Sequence, residues 1–450
     1  MRAAVLLPAL SLLLLLSPSL RAAPQSPVVF SRVPEGPLSL EQAYDLALGS
    51  DQTIRIAFLE VQKANLLPLG ALTRVAPRLH GSYSYDRTSS SAQLAALNAP
   101  LRSRGGSGMW NLSLDQPLFD LSVFPAQRRG KLLQKSTQFA RNFTIRETLF
   151  GVASAYYEVL KQERLLKVNQ QSLELASQQQ MLAQTRADVG EVTRSDVLRA
   201  QVSVETARRA LIASENTLEF QRNTLRNILN VPPDAPLRLV EPSPYPCSSQ
   251  AFEQLLSTAW QKREDLLGRI LAVQASEERR REIQAQYAPK LVASADQSIS
   301  QNSGPNAGHR EQWMAGVSVQ IPFFEGGQRE IDLANSRRDV DQAVLDKERL
   351  GKSIEAEVKR AWLNVRALDS SLRAVQAQVQ AAEQSYSDLQ NQYRAGIAKS
   401  VDVLSALTDL NTARSDLAAM TLDYQVALRS LERVTGTFQE ARVRKSVPSR

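Results

Sequence analysis

Apolar residues recur along most of this chain at spacings of seven, or of alternating four and three. Val197, Val204, Leu211, Leu218 and Leu225 stand seven apart, with Ala200, Ala207 and Ile228 offset by three. The same series returns as Val403, Leu410, Leu417, Tyr424 and Leu431, accompanied by Ala406, Ala413, Met420, Ala427 and Val434. A longer stripe runs through Ile354, Val358, Ala361, Val365, Leu368, Leu372, Val375, Val379, Ala382, Tyr386, Leu389 and Tyr393. Its counterpart is Ile145, Leu149, Val152, Tyr156 and Val159. Such spacing predicts helices that pair as coiled coils, and the frequent alanines let them approach closely. The helix from about 121 to 188 would be roughly 100 Å long at 1.5 Å per residue. A compact globule of this size has no room for it.

Between the helical stretches the period changes to two. In 79–86, Leu79, Gly81, Tyr83 and Tyr85 alternate with His80, Ser82, Ser84 and Asp86. In 110–115, Trp110, Leu112 and Leu114 alternate with Asn111, Ser113 and Asp115. In 313–321, Trp313, Ala315, Val317, Val319 and Ile321 alternate with Met314, Gly316, Ser318 and Gln320. The signal in 291–299 is weaker, with Ser294, Asp296 and Ser298 on one face. Strands apolar on one face and polar on the other suit a barrel with lipid outside and water inside. Tyr85, Trp110 and Trp313 suit the aromatic belt at a membrane interface. The Ser/Gly-rich stretches 88–108 and 300–310 read as loops.

The chain is two copies of one unit. Shifted by 206, residues 189–230 fall on 395–436, pairing Gly190 with Gly396, Asp196 with Asp402 and Arg208 with Arg414 among others. Shifted by 212, Glu41 to Leu79 fall on Glu253 to Leu291, and Ala76-Pro77-x-Leu79 meets Ala288-Pro289-x-Leu291. Each half reads as helix, two strands, long helix, turn, helix. The expected organisation is a signal peptide at 1–22, a first repeat at 23–230 with strands near 78–87 and 109–116, and a Pro-rich linker at 231–250. A second repeat follows at 251–437, with strands near 290–300 and 312–321, and then a basic C-terminal tail at 438–450.

Composition narrows the function. Net charge is +8 with 22% charged residues, and acids and bases interleave along the helices. Nucleic-acid binding would want a concentrated basic face, and only the tail, with Arg442, Arg444, Lys445 and Arg450, is basic enough to notice. It reads as solvated. One cysteine, Cys247, and two distant histidines, His80 and His309, offer neither an internal disulfide nor a His/Cys metal cluster. Arg2, the apolar run Val5 to Leu16 and small Ala22 and Ala23 read as an export signal cleaved near Ala22. No cysteine lies there to carry a lipid anchor. No later run of 18 apolar residues appears, so membrane entry would require a β-barrel. There is no Gly-rich phosphate loop, nucleophile elbow or paired-carboxylate pocket, so no catalytic residue, cofactor or metal site is expected. Glu163, Glu174, Glu205 and Arg208 are explained as solvated helix faces.

Four strands cannot close a barrel, and open edges in lipid are forbidden. Several chains must therefore contribute, and three would supply twelve strands.

The whole mature length resembles the TolC-type outer-membrane factors. The resemblance rests on the duplicated layout and on strand pairs ending in Pro117-Leu118-Phe119-Asp120 and Pro322-Phe323-Phe324-Glu325. It rests also on two tip motifs, Val189-Gly190-x-x-Thr193-x-x-Asp196-Val197 and Ala395-Gly396 followed by Asp402-Val403-Leu404. It implies a mainly α, internally duplicated fold with a transmembrane β part. Three chains would form a 12-stranded barrel in the outer membrane and an α-helical tunnel across the periplasm. The implied function is a passive exit duct of an efflux pump or type I secretion system. An inner-membrane transporter would drive it, and a periplasmic adaptor would meet it at the tips, around Gly190, Glu191, Val192, Thr193, Gly396, Ile397 and Ala398. The resemblance makes Asp402 an acid of the constriction, Asp196 an acid tying neighbouring coils, and Tyr393 part of the same closing network. A second constriction acid is expected at 405, where Ser405 stands. An arginine is expected at 398, where Ala398 stands beside Lys399. Without the family, Gly190 and Gly396 still read as left-handed helix ends, and Asp196 and Asp402 as acids at the positive ends of the returning helices. The competing reading is a soluble periplasmic or surface coiled-coil protein without channel activity.

Overall fold

The computed structural model describes residues 36–93, 100–243, 250–303 and 308–445. The expected signal segment and Cys247 lie outside them. Three helices open the first half: α1 (Leu40–Ser50), α2 (Gln52–Asn65) and α3 (Leu67–Leu72). Strands β1 (Arg78–Gln93) and β2 (Pro100–Phe119) follow, then the long α4 (Val123–Asp188) and its return α5 (Arg194–Leu229). The second half repeats this as α6 (Phe252–Lys262), α7 (Glu264–Ala285), β3 (Lys290–Ser303), β4 (Gly308–Gln320), α8 (Gln328–Arg394) and α9 (Ser400–Thr435), closed by α10 (Glu440–Lys445).

The four strands form one antiparallel sheet in the order β1-β2-β3-β4. Helix α4 packs against α2, α3 and α5 and also against α7 and α9, while α8 packs against α7 and α9. The helical order thus copies the strand order. Each strand stands over the helix it joins covalently, giving four columns side by side. The outer columns are β1 with α2, α3 and α5, and β4 with α8.

Register fixes the faces of the sheet. Leu79, Leu114, Ala295 and Ala315 lie opposite one another in a row, as do Tyr83, Trp110, Ile299 and Glu311. Because side chains alternate along each strand, Tyr85, Leu112, Trp313, Val317 and Val319 share this largely apolar face. Ser82, Asn111, Ser298 and Gln312 take the other. The weak strand near 291–299 is therefore real, and its Ser294, Asp296 and Ser298 lie on the polar face.

Two expectations are corrected here. The stretches read as loops at 88–108 and 300–310 are mostly strand: β1 runs on to Gln93, β2 begins at Pro100, β3 runs to Ser303 and β4 begins at Gly308. Alternation ends where an apolar face is no longer needed, but backbone pairing continues through Ser, Thr and Gly. The segment read as a solvated basic tail is packed from Phe438 to Val443. Phe438 is only 1% exposed and Val443 is buried, and Arg442 binds Glu41 at 2.8 Å and Asp45 at 2.5 Å on α1 while covering the Tyr44 ring.

The opening helix of each half is broken, once at Asp51 and once at Arg263, positions related by the same 212-residue shift. Asp51 caps α2 by accepting the Ile54 N–H at 2.9 Å. Arg263 cannot accept, and Asp265 takes the Leu266 N–H instead. The linker is ordered as far as it is described. Leu38 pairs with Leu239, and the Tyr156 hydroxyl reaches the carbonyls of Leu38 and Val240 at 2.8 and 2.6 Å. Burial pushes this phenol up to about 12, so it stays a donor at ordinary pH.

Burial is spread along the rod. One apolar cluster gathers Tyr44, Ile145, Leu149, Tyr156, Leu225 and Phe438; another gathers Leu255, Ile354, Val358, Leu431 and Val434. A third lies near the tips. Between the halves, the buried Arg146 guanidinium grips both oxygens of Glu264 and the Phe438 carbonyl. Removing one partner of such a pair costs about 3–5 kcal/mol.

At Gly130, α3 comes close against α4. A Cβ there would lie 2.9 Å from the Pro68 nitrogen and 3.0 Å from the Leu67 carbonyl carbon, both backbone. Gly130→Ala should therefore cost about 1–3 kcal/mol, read as a lower unfolding midpoint in detergent. An unchanged midpoint would mean that α3 yields freely.

Candidate functional site

The far ends of the two helical hairpins lie together, and each is a turn of the same construction. After α4 the chain passes Val189 to Gly190, whose φ is +78°. The Gly190 N–H donates to the Ala187 carbonyl and the Glu191 N–H to the Arg186 carbonyl, at 3.0 and 2.9 Å. After α8, Gly396 has φ +79°. Its N–H donates to Tyr393 at 3.0 Å, and Ile397 donates to Gln392 at 2.8 Å. This 6→1 and 5→2 pairing is the Schellman motif, which needs a left-handed residue.

The returning helices start differently. Thr193 caps α5: its hydroxyl accepts the Asp196 N–H at 3.3 Å, and Asp196 accepts the Thr193 N–H at 3.1 Å and its hydroxyl at 2.7 Å. This is a complete capping box. At α9 the cap position is Lys399. Asp402 accepts the Lys399 N–H at 3.2 Å, but an ammonium has no lone pair with which to return the bond. Asp196 and Asp402 thus both occupy the third helical position, near the positive end of the helix.

Around the turns, Glu191, Thr193, Gly190, Gly396, Ile397, Lys399, Asp402 and Ser405 are exposed, and Val192, Asp196 and Ala398 are half-buried. Asp402 and Ser405 are three residues apart on α9, which puts them on one exposed helix face. Tyr393 is 1% exposed, in the apolar cluster with Val204, Val403, Ala406 and Leu407. Its hydroxyl has no hydrogen-bond partner, and the Asp196 carboxylate is engaged with Thr193 instead.

The sequence reading missed Arg186. Its guanidinium lies 4.6 Å from the centre of the Tyr393 ring, donates to the Tyr393 carbonyl, and binds Glu191 at 2.8 Å. The available signal was faint: a cation in the last turn of a helix, four residues before the turn glycine.

At the opposite end, the apolar sheet face carries the aromatic residues. Tyr85, Trp110 and Trp313 lie on three adjacent rows, and the Tyr83 ring sits 4.7 Å from that of Trp110. Trp313 is 77% exposed. Where the sheet passes into the helices, Phe119, Phe323 and Phe324 are also exposed, Phe323 at 91%. Two aromatic levels therefore bracket the apolar band, as on a membrane barrel. Among the described residues, no helix is long and apolar enough to cross a membrane.

An apolar-faced sheet standing on paired helices that end in glycine turns is the build of an outer-membrane channel subunit. The chain belongs to the outer membrane efflux protein family, whose model matches residues 43–231 and 255–437. It is similar to the outer membrane efflux protein BepC of Brucella suis, 26% identical over 80% of this chain and 77% of that one. It is also similar to the outer membrane protein TolC of Escherichia coli, 25% identical over 73% and 69%. In fold it is similar to the CmeC outer membrane channel of Campylobacter jejuni, with a TM-score of 0.73 at 15% identity, over 90% of this chain and 89% of that one.

Lys399→Thr should complete the second capping box and stabilise the first turn of α9 by about 1 kcal/mol. Hydrogen–deuterium exchange of the Val401 to Val403 amides should slow roughly fivefold. Unchanged exchange would show that this helix start lacks nothing.

Proposed function

We propose that this chain is the passive outer-membrane exit duct of a tripartite efflux pump or type I secretion system, opened at its periplasmic tips by an adaptor protein. The observation that carries this reading is the four-column slab. Its sheet has one apolar face and two unpaired edges, and its outer helices carry exposed apolar side chains. These include Ile56 and Leu59 on α2, Leu198, Val202, Ile212 and Phe220 on α5, and Ile331, Leu345 and Leu363 on α8. Strand edges and sticky helix flanks fall on the same two sides. Three copies joined β4 to β1 and α8 to the next chain's α2 and α5 close twelve strands above and a ring of helices below, with no edge left in lipid.

In this reading Tyr85, Trp110 and Trp313 sit at one lipid interface. Gly190, Glu191, Val192, Thr193, Gly396, Ile397 and Ala398 form the surface that meets the adaptor. Three copies of Asp402 ring the axis and favour cations, with Lys399 close by. Ser405 leaves that ring a single layer of acid, and Asp196 and Tyr393 belong to the closing contacts between coils. The energy comes from an inner-membrane transporter. No catalytic step, cofactor or resident metal enters.

The test is the purified full chain. Release only by detergent, a trimeric mass and pores in planar bilayers are expected. Release by osmotic shock as a monomer without pores would favour the soluble coiled-coil rod. Asp402→Ala should raise single-channel conductance or lessen block by multivalent cations. If neither changes, Asp402 is not at the constriction.

A further inference from the structure

The structure assigns Arg186 as the pin that holds the tip of each chain's second hairpin against its first in the resting state. The assignment rests on the duct reading and names the residue that keeps one protomer's two tips together. Arg186 lies in the last turn of α4, yet every partner but Glu191 belongs to the other hairpin. Its guanidinium covers the Tyr393 ring and donates to the Tyr393 carbonyl in the last turn of α8. A Cβ on Gly396 would have the Arg186 Nη2 as its neighbour, at 3.5 Å. The side chain is 14% exposed, so the contact is largely shielded from water.

Three effects add at this position. A cation sits at the negative end of α8 as well as near the end of its own helix. A planar guanidinium stacks on an aromatic ring whose surroundings are dry. A charge-assisted bond reaches a terminal carbonyl that otherwise accepts only N–H groups of its own turn. Glu191, itself exposed, binds the guanidinium Nε–H at 2.8 Å while the carbon of the group lies 4.6 Å from the ring centre. The neighbouring groups oppose nothing: Asp196 is tied to Thr193, and the Tyr393 hydroxyl makes no hydrogen bond that would have to break. Parting the tips would expose Tyr393 and free the arginine together. Ala398 supplies no charge for this task, so the linkage comes from the first hairpin.

The experiment compares wild type, Arg186→Ala and Arg186→Lys as full-length protein. Arg186→Ala should raise the open fraction in planar bilayers roughly tenfold, the scale of one shielded cation–π contact plus one charged hydrogen bond. Arg186→Lys keeps the charge but loses the planar stack, and should fall between. Spin labels at Asp188→Cys and Arg394→Cys, in a Cys247→Ser background diluted with unlabelled chain, should report a longer and broader tip-to-tip distance in Arg186→Ala. Wild-type thermal stability in that variant separates release of the tip from unfolding. Pores in the wild type, with conductance and distance both unchanged in Arg186→Ala, would overturn the pin. A wild type that forms no pores would overturn the duct, and the distance measurement would still decide whether Arg186 joins the tips.

Discussion

A backbone N–H or C=O left unpaired in hydrocarbon costs several kcal/mol, and this sheet has two edges full of them. Most of the architecture follows from that cost. In lipid the edges of β1 and β4 would have to be met by other strands, and in the proposed duct the four columns are a segment of a larger closed wall. Each strand stands over a helix, and closing the strands also brings the outer helices α8 and α5 together between chains. A barrel and a helical conduit are thus not two designs fastened end to end. The same ordering of columns produces both.

The helical part meets a different constraint. A slab two hairpins wide has no single centre to bury, so its apolar residues form separate clusters along the length. Polar ties join segments far apart in sequence: Arg146 to Glu264 and the Phe438 carbonyl, Arg263 to Glu357, and Arg442 to Glu41 and Asp45. They lie around the breaks in the opening helices and the C-terminal α10. This middle belt is where the chain's two ends and its linker converge, and Tyr156 binds the linker there with its hydroxyl.

Much of this was legible in the sequence because the signals were periodic and occurred twice. Heptads located α5 and α9, both 36 residues long, and alternation located the apolar face of the sheet. What escaped was set by tertiary contact. The β1–β2 and β3–β4 pairs extend through Ser and Gly because backbone bonding asks nothing of the side chains. The breaks at Asp51 and Arg263 were hidden because a capping aspartate in one copy became a salt-bridged arginine in the other. Arg442 looked solvated until Glu41 and Asp45, some four hundred residues earlier, were brought beside it. At the tips, the glycines and acids were found from spacing and chemistry. Arg186 was not, since its partners lie on the other hairpin.

Duplication made the two tips alike, and divergence made them unequal. The first has a complete capping box, and its turn residue Glu191 is paired with Arg186. The second has a lysine at the cap, an aspartate that bonds only one way, and a terminal carbonyl served by a side chain from its neighbour. Both turns keep their local Schellman bonds, and the second adds to them a contact from the first hairpin. Above it, the seam of the α8–α9 hairpin is buried at Val375, Val379 and Ala413, with Ala382, Leu417 and Met420 packed against them, between the cluster at the tips and the one around Ile354 and Leu431. In the proposed duct, parting the tips therefore costs the contacts of Arg186 with Tyr393, while each hairpin keeps its own buried seam.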